Sequence, residues 1–232
     1  MNLLGYDVAN LSIKDFTNGG EFIKTLAKQS KVNLTSASVV YTANSTPIVE
    51  PYVICKLTPE QRNPSPPFDQ LTIGLIGVCD PREKLLHNRF NEDQLKSIDP
   101  VAAVKNVLPK VRKKADLVIL LFNGRYQNLT PILETVKEID IVIMGGEYYR
   151  ARTYQGDDVI ITSVASLGKY GAYLQLTLDQ DKTIINSTKT QVPLDKSIDD
   201  DPTLAKLVAE YKKAQEKLLN PPRQQQRSSS AQ

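Results

Sequence analysis

Few side chains in this sequence are suited to metal binding or nucleophilic chemistry. The only histidine is His87, the only cysteines are Cys55 and Cys79, and Asp80 follows the second cysteine. The spacing of these four residues matches no metal-ligand pattern, and buried free cysteines are common in ordinary cores. We therefore favour a structural role for the cysteines over a zinc site, and we expect neither a disulfide framework nor any site that needs two histidines.

Polar side chains follow two predicted buried strands at their carboxyl ends, where α/β sheets place ligands. Asn123 and Arg125 follow one strand, and Glu147 follows the next. Arg125 is a candidate anion ligand, and the alternative is a surface arginine in a turn. Asn123 and Glu147 are weak candidate metal ligands facing one crevice, because one carboxylate without histidines makes a poor site.

A second cation lies near the start of the chain. Lys14 falls at a predicted loop-to-helix junction. It is a candidate clamp for a phosphate group, since an ammonium forms charge-assisted hydrogen bonds with anions. The favoured alternative is an ordinary solvated lysine.

The middle of the chain alternates apolar runs with amphipathic segments. The apolar runs, typical of strands covered on both faces, are residues 71–78, 117–122 and 139–144. Helices are predicted to begin at Asp99-Pro100 and at Thr130-Pro131, since aspartate caps helices and proline suits the first turn. This order predicts right-handed parallel βαβ units over residues 71–144.

The flanking regions carry other patterns. A helix is predicted from Glu21 to about Lys31, and another begins at Asp201-Pro202 with an apolar stripe. The β-branched segments predict strands; they are residues 32–41, 48–57, 159–164, 172–178 and 183–191. We interpret residues 159–191 as an antiparallel meander or a sheet edge.

Several segments, in order, match motifs of a known family. Residues 1–19 are similar to "MNxLGYDAxTLGNHEFDxG", and Asp99-Pro100-Val101 with residues 116–125 is similar to "DPVEAAKK…ADVIVALSHLG". Residues 139–146 resemble "IDVIIGGHSH", and residues 166–174 resemble "SYGKYLGxL". Together they resemble the metallophosphatase domain of the 5′-nucleotidase family, within the calcineurin-like phosphoesterases.

The resemblance implies an α/β fold with mixed sheets flanked by helices, part of an αββα sandwich. It divides the chain into a metallophosphatase-like domain over residues 1–195 and an exit helix over residues 196–220, and the Gln/Ser-rich composition predicts a disordered polar tail over residues 221–232. The family's first metal-binding motifs have no counterpart in this chain, so the sequence resembles the C-terminal part of such a domain. A sheet edge left exposed near the N-terminus would then pair with another chain or self-associate.

The family's chemistry uses two bridged divalent metals and a water activated between them. The resemblance places Ile13 at an asparagine ligand, Lys14 at the histidine beside it and Asn123 at a histidine ligand. Asp15 is the next position of the first motif, and Glu147 is the oxygen donor in the segment that replaces the "GHSH" histidines. We therefore expect no catalytic residue, no bound metal and no other cofactor.

These substitutions predict a degenerate metallophosphatase-like domain without hydrolytic activity, acting as a structural or interaction domain. One alternative is a metal-dependent phosphohydrolase whose N-terminal metal-binding half is missing from this chain. Another is a metal-free anion- or nucleotide-binding module that uses Lys14 and Arg125.

Composition limits the partners. Lys and Arg total 29 against 26 Asp and Glu, which gives a net charge of +3. That charge is too small to indicate a nucleic-acid partner, and no apolar run reaches the length of a membrane span. The family resemblance suggests a periplasmic or extracellular location, although we recognise no signal peptide in this chain.

Overall fold

The computed structural model describes residues 1–58, 68–80, 95–145, 154–155, 159–164 and 168–219. The chain divides into two compact units, Met1–Leu194 and Asp195–Gln232. The predicted disordered tail at residues 221–232 lies outside the described residues.

The first unit contains most of the secondary structure. Its strands are β1 (Val8–Asn10), β2 (Asn33–Thr35), β3 (Val39–Tyr41), β4 (Tyr52–Leu57), β5 (Leu71–Cys79), β6 (Leu95–Ser97), β7 (Leu117–Asn123), β8 (Ile141–Gly145), β9 (Tyr154–Gln155), β10 (Ile160–Ser163), β11 (Tyr170–Leu178) and β12 (Ile184–Pro193). Its helices are α1 (Gly20–Gln29), α2 (Pro100–Arg112) and α3 (Tyr126–Thr135), with 3-10 helices at Asn2–Leu4 and Ile13–Asn18. The second unit contains α4 (Pro202–Leu219).

A six-stranded sheet in the order β4-β5-β7-β8-β10-β9 forms the centre of the first unit. Strands β5, β7, β8 and β10 run parallel, whereas β4 and β9 are antiparallel edges. Alternate side chains of the central strands, such as Val78, Phe122 and Val142, pack on one face against α2 and α3. This arrangement confirms the predicted mixed α/β fold and the parallel order of β5, β7 and β8.

A second apolar cluster lies beside the end of β5. It joins Cys79 to Ile23 of α1, to Phe16 of the second 3-10 helix and to Val39 of β3. The small sheets β1-β2 and β3-β6 belong to this layer, and β11-β12 forms a separate antiparallel hairpin. Among the described residues no helix is long and apolar enough to cross a membrane.

Of the two interpretations given for residues 159–191, the antiparallel meander is wrong for residues 159–164, which lie instead beside the edge strand β9. Strand β10 pairs in parallel with β8, with Ile160 opposite Ile141 and Ser163 opposite Met144. All four residues of β10 are buried, which is typical of a strand covered on both faces. The parallel part of the sheet therefore extends beyond residue 144, and the antiparallel hairpin begins only at β11.

The predicted start of α3 at Thr130-Pro131 is also wrong, because the helix begins at Tyr126 and contains Pro131. A proline inside a helix removes one backbone hydrogen bond. Burial of Leu129 and Ile132 in the core outweighs this loss. Similarly, the long strands expected over residues 32–41 and 48–57 are three shorter strands, β2, β3 and β4.

The guanidinium of Arg112 ties the amino ends of two central strands to the end of α2. It forms an ion pair with Asp140 at 2.6 Å and donates to the carbonyl oxygens of Glu138 and Asp116. The same Asp140 carboxylate oxygen accepts the backbone N–H of Val118 at 2.6 Å. One partly buried arginine therefore sets the positions of α2, β7 and β8.

The carboxyl ends of the central strands are held by a different side chain. The Asn10 amide nitrogen at the end of β1 donates to the carbonyl oxygens of Val78 and Leu121 at 2.8 and 2.9 Å. A Cβ atom on Gly77 would lie 2.5 Å from the Asn10 Oδ1, so glycine allows this close approach. Asn10 thus fixes the segment after β1 beside the ends of β5 and β7.

We expect Arg112→Ala to destabilise the first unit by about 2–4 kcal/mol, because the Asp140 carboxylate loses a partly buried partner. Thermal and urea unfolding would measure the change. Lys110→Ala removes an exposed cation from the same helix and should change the unfolding free energy by less than about 0.5 kcal/mol. Equal effects of the two substitutions would contradict the role given to Arg112.

We expect Asn10→Ala to lower the free energy of unfolding by about 1–3 kcal/mol, since two carbonyl oxygens lose their shared donor. The matched control is Asn33→Ala. The exposed Asn33 donates one amide hydrogen bond to the Asp7 carbonyl oxygen, and its loss should cost less than about 1 kcal/mol. A smaller effect at position 10 than at position 33 would show that the Asn10 bridge is not important.

Candidate functional site

The carboxyl ends of β5, β7 and β8 form the edge at which the sequence places its candidate residues. Cys79, Asn123 and Gly145 lie side by side in the strand register. The backbone N–H of Asp80 donates to the Asn123 carbonyl oxygen at 2.8 Å, and Gly124 donates to Gly145 at 3.1 Å. These bonds continue the alignment one residue beyond the strands, so we call this line of strand ends the carboxyl edge.

Asn123 is the predicted site residue that lies on the carboxyl edge itself. Its residue is half-buried, and its Oδ1 atom is fully buried with no hydrogen-bond donor among the described residues. A buried unsatisfied carbonyl oxygen is unfavourable. The side chain therefore offers one neutral oxygen acceptor and no negative charge.

Lys14 lies on the second 3-10 helix, four residues after Asn10, and its side chain is exposed. Because Asn10 is bonded to Leu121, two residues before Asn123, the chain after β1 begins at the level of the carboxyl edge. The structure thus brings Lys14 and Asn123 to the same end of the sheet. The described contacts of Lys14 involve its backbone carbonyl, which accepts the Thr17 hydroxyl.

Asp15 has a structural role at the start of this 3-10 helix. Its carboxylate accepts hydrogen bonds from the backbone N–H of Ser12 at 2.7 Å and from the Ser12 hydroxyl at 2.9 Å. The bond from the Ser12 N–H is the Asp15 half of a capping box at the start of this helix. The oxygen that makes both contacts is therefore engaged in holding the turn.

Arg125 is exposed and occupies the N-cap position of α3. Only Gly124 separates it from Asn123, so it also belongs to the carboxyl edge. Glu147, the remaining weak metal candidate, lies outside the described residues. The segment around Glu147 contains no histidine in the sequence.

Sequence reasoning missed the buried pair Asp80 and Asn128. Asp80 is 4% exposed, and its carboxylate accepts a hydrogen bond from the Asn128 side chain on α3. Asp80 thus binds the first turn of α3 to the end of β5. No sequence signal connects these residues, because they are 48 positions apart.

The structure also separates the two cysteines that the zinc alternative required. Cys55 lies opposite Ile73 across the β4-β5 pair, and Cys79 is six residues farther along β5. That distance is about 20 Å along the sheet at roughly 3.3 Å per residue. Burial raises the pKa of the Cys55 thiol, which further disfavours the thiolate that a metal requires.

An open groove of about 550 Å³ lies away from this edge, between α1 and β4. Its lining includes Lys24, Lys28 and Glu50 and none of the predicted site residues. The ion pair with Glu21 and the neighbouring Tyr41, whose ring centroid lies 5.1 Å from the ammonium, raise the pKa of Lys24. That ammonium is therefore already paired and is a poor anion site.

The donor set at the carboxyl edge does not suit a centre of two divalent metals. Within the part of the chain that the structure describes, no three histidine, cysteine, aspartate or glutamate side chains cluster as a metal site needs. Lys14 offers a cation and no lone pair when charged, and Asn123 offers a neutral amide.

Comparison with known proteins shows which proteins this chain is similar to. No family profile matches the chain. It is 25% identical over 155 residues to the 2′,3′-cyclic-nucleotide 2′-phosphodiesterase/3′-nucleotidase of Haemophilus influenzae, which covers 62% of this chain and 23% of that protein. It is 22% identical over 232 residues to the Homo sapiens 5′-nucleotidase, which covers 88% of this chain and 38% of that protein.

Solved structures agree on the fold. The calcineurin-like phosphoesterase YfkN from Bacillus subtilis matches 92% of this chain and 72% of its own length, with a TM-score of 0.76 and 20% identity. A 5′-nucleotidase precursor from Thermus thermophilus matches 93% of this chain and 44% of its own, with a TM-score of 0.70 and 14% identity.

This chain spans less than two fifths of the two curated relatives described here. The curated relatives and the shared architecture confirm the resemblance seen in the sequence. The chain is thus related to 5′-nucleotidases and 2′,3′-cyclic-nucleotide phosphodiesterases, and it has the calcineurin-like phosphoesterase fold.

Proposed function

We propose that this chain is a degenerate metallophosphatase-like domain that does not hydrolyse phosphate esters by itself and acts as a structural or interaction domain. The observation that carries the proposal is the donor set at the carboxyl edge. The family resemblance assigns an asparagine ligand to Ile13 and histidines to Lys14 and Asn123, and Asp15 is the next position of the first motif. None of these side chains is an imidazole.

Lys14, Asp15 and Asn123 support the proposal in different ways. The Lys14 ammonium repels a divalent cation, whereas the imidazole it replaces can act as an acid. The Asp15 carboxylate is engaged by Ser12 in the cap. The Asn123 oxygen is a poor ligand for a transition metal. Loss of one ligand or its support commonly lowers metal affinity or activity by about 10- to 100-fold.

A structural or interaction role also suits the accessible parts of the sheet. Strand β4 is an edge of the six-stranded sheet, and its residues are mostly half-buried. Edge strands present backbone groups to which another chain can pair. We propose a protein partner rather than nucleic acid, and the related nucleotidases suggest an exported protein.

We expect the purified full chain to bind manganese, cobalt or zinc only substoichiometrically and to show no metal-dependent turnover of nucleoside monophosphates or of cyclic phosphodiesters. Metal analysis after gel filtration and a phosphate-release assay would measure both. Stoichiometric metal together with turnover would overturn the proposal and favour the alternative, a metal-dependent phosphohydrolase.

A restored variant provides the matched comparison. Ile13→Asn, Lys14→His and Asn123→His together return the family's donor types to these positions. If the absence of these donor types disables metal binding, the triple variant should bind zinc at least about 10-fold more tightly than the unmodified chain. Equal zinc affinity would show that the three positions do not contribute to a metal site.

The exposure of two cations at one end of the sheet favours a second candidate, a metal-free site for a phosphate-bearing ligand. Lys14 and Arg125 are both exposed and both lie near the carboxyl edge. Cations at such an edge attract anions without a metal. This candidate needs no imidazole and remains compatible with the absence of hydrolysis.

We expect inorganic phosphate and a nucleoside monophosphate to bind weakly in the presence of a chelator, as measured by calorimetry. Lys14→Ala and Arg125→Ala should each weaken binding by about two- to fivefold, which is the range of one exposed ionic contact. The control is Lys137→Ala, an exposed lysine just before β8 at the opposite end of the sheet. No saturable binding, or an equal effect of the control, would reject this candidate.

A further inference from the structure

Helix α4 carries an exposed apolar stripe. Leu207, Val208, Tyr211 and Leu218 are 51%, 49%, 66% and 82% exposed. The helix has a defined start, because the Asp201 carboxylate accepts the backbone N–H groups of Thr203 and Leu204 at 2.9 Å each. A capped helix of 18 residues with such a stripe typically packs its apolar face against another protein segment.

The stripe follows the heptad spacing of a coiled coil. With Leu204 assigned to position a, Leu207 falls at d, Tyr211 at a, Ala214 at d and Leu218 at a. Positions a and d form the seam between two helices, and positions e and g flank it. The seam of α4 is therefore apolar along its length, with one bulky and one small residue in its middle.

Two copies of this seam are complementary when the helices run in opposite directions. Position a of one helix then faces position d of the other. Leu207 meets Leu218 of the second copy, and Tyr211 meets Ala214, so the large ring faces a small side chain. The two-fold axis between the helices repeats both of these pairs, so no pair consists of two tyrosines.

The flanking charges fit the same arrangement. Glu210 and Lys217 are the two g positions, and in an antiparallel pair g of one helix faces g of the other. In the register above, Glu210 of each copy lies opposite Lys217 of the other, which gives two interhelical ion pairs. The e positions, Val208 and Gln215, face each other and bring no charge into conflict.

A parallel pair lacks these features. It places Tyr211 against Tyr211 and Glu210 against the uncharged Gln215, because g then faces e of the next heptad. The charges and the side-chain volumes therefore both select the antiparallel arrangement.

We propose that α4 is a self-association surface whose occupant is α4 of a second copy of this chain, paired antiparallel with Glu210 opposite Lys217. The proposal does not depend on whether the first unit hydrolyses anything. A helix of 18 residues offers about 27 Å of seam. We therefore expect a dimer of the weak, transient class, with a buried area below about 1,200 Å².

Sedimentation equilibrium of the full chain at low ionic strength, over a wide concentration range, tests the proposal. The average mass should rise from 25.8 kDa toward twice that value. Glu210→Lys and Lys217→Glu should each weaken dimerisation by roughly 10-fold, because each turns both ion pairs into repulsions. The double variant carrying both changes should restore the dissociation constant to within about threefold of the original.

Two controls separate this seam from general charge effects. Glu216→Lys and Lys213→Glu make the same charge changes at outward positions f and c of the same helix, and they should leave dimerisation unchanged. A chain that stays monomeric throughout overturns the proposal. A dimer that the double variant fails to restore, or that the controls weaken equally, also overturns it, because another surface or another orientation is then responsible.

Discussion

The hydrogen-bonded register of β5, β7 and β8 is the constraint on which the first unit depends. These strands are covered by α2 and α3 on one face, and side chains such as Val78 and Phe122 are almost fully buried between the layers. Because parallel strands in register end together, the register alone places Cys79, Asn123 and Gly145 in one line. The character of the candidate site then follows from which side chains occupy that line and the turns beside it.

Those side chains suit neither a bimetallic centre nor a strong anion site. Among the described residues, the carboxyl edge carries the Asn123 amide, the capping Asp15, the buried Asp80 bonded to Asn128, and two exposed cations. The relationship to nucleotidases and the composition of the edge therefore point in different directions. Our proposal follows the side chains rather than the relationship, because a fold supplies positions and the side chains supply chemistry.

The sequence was sufficient for the elements with strong local signals. The continuous apolar runs predicted β5, β7 and β8, and Asp99 caps α2 through its contact with the Ala102 N–H as expected. The parallel pairing of residues 159–164 could not be predicted, because a short β-branched run looks the same in a parallel or an antiparallel strand. The start of α3 differs from the one that Pro131 indicates, because core burial outweighs local preference. Within the site, the Asn10 contacts span 68 and 111 residues, a separation at which no local pattern carries information.

The Arg112 tie and the site candidates lie at opposite ends of the same strands. Arg112 and Asp140 hold the amino ends, together with the Asp116 carboxylate, which accepts the Thr72 N–H at 2.7 Å. Asn123 and Arg125 occupy the far ends, where Arg125 is open to water. The ties that hold the sheet together and the residues that decide the chemistry of the carboxyl edge are therefore separate, and a substitution at the edge can alter that chemistry while the core stays packed.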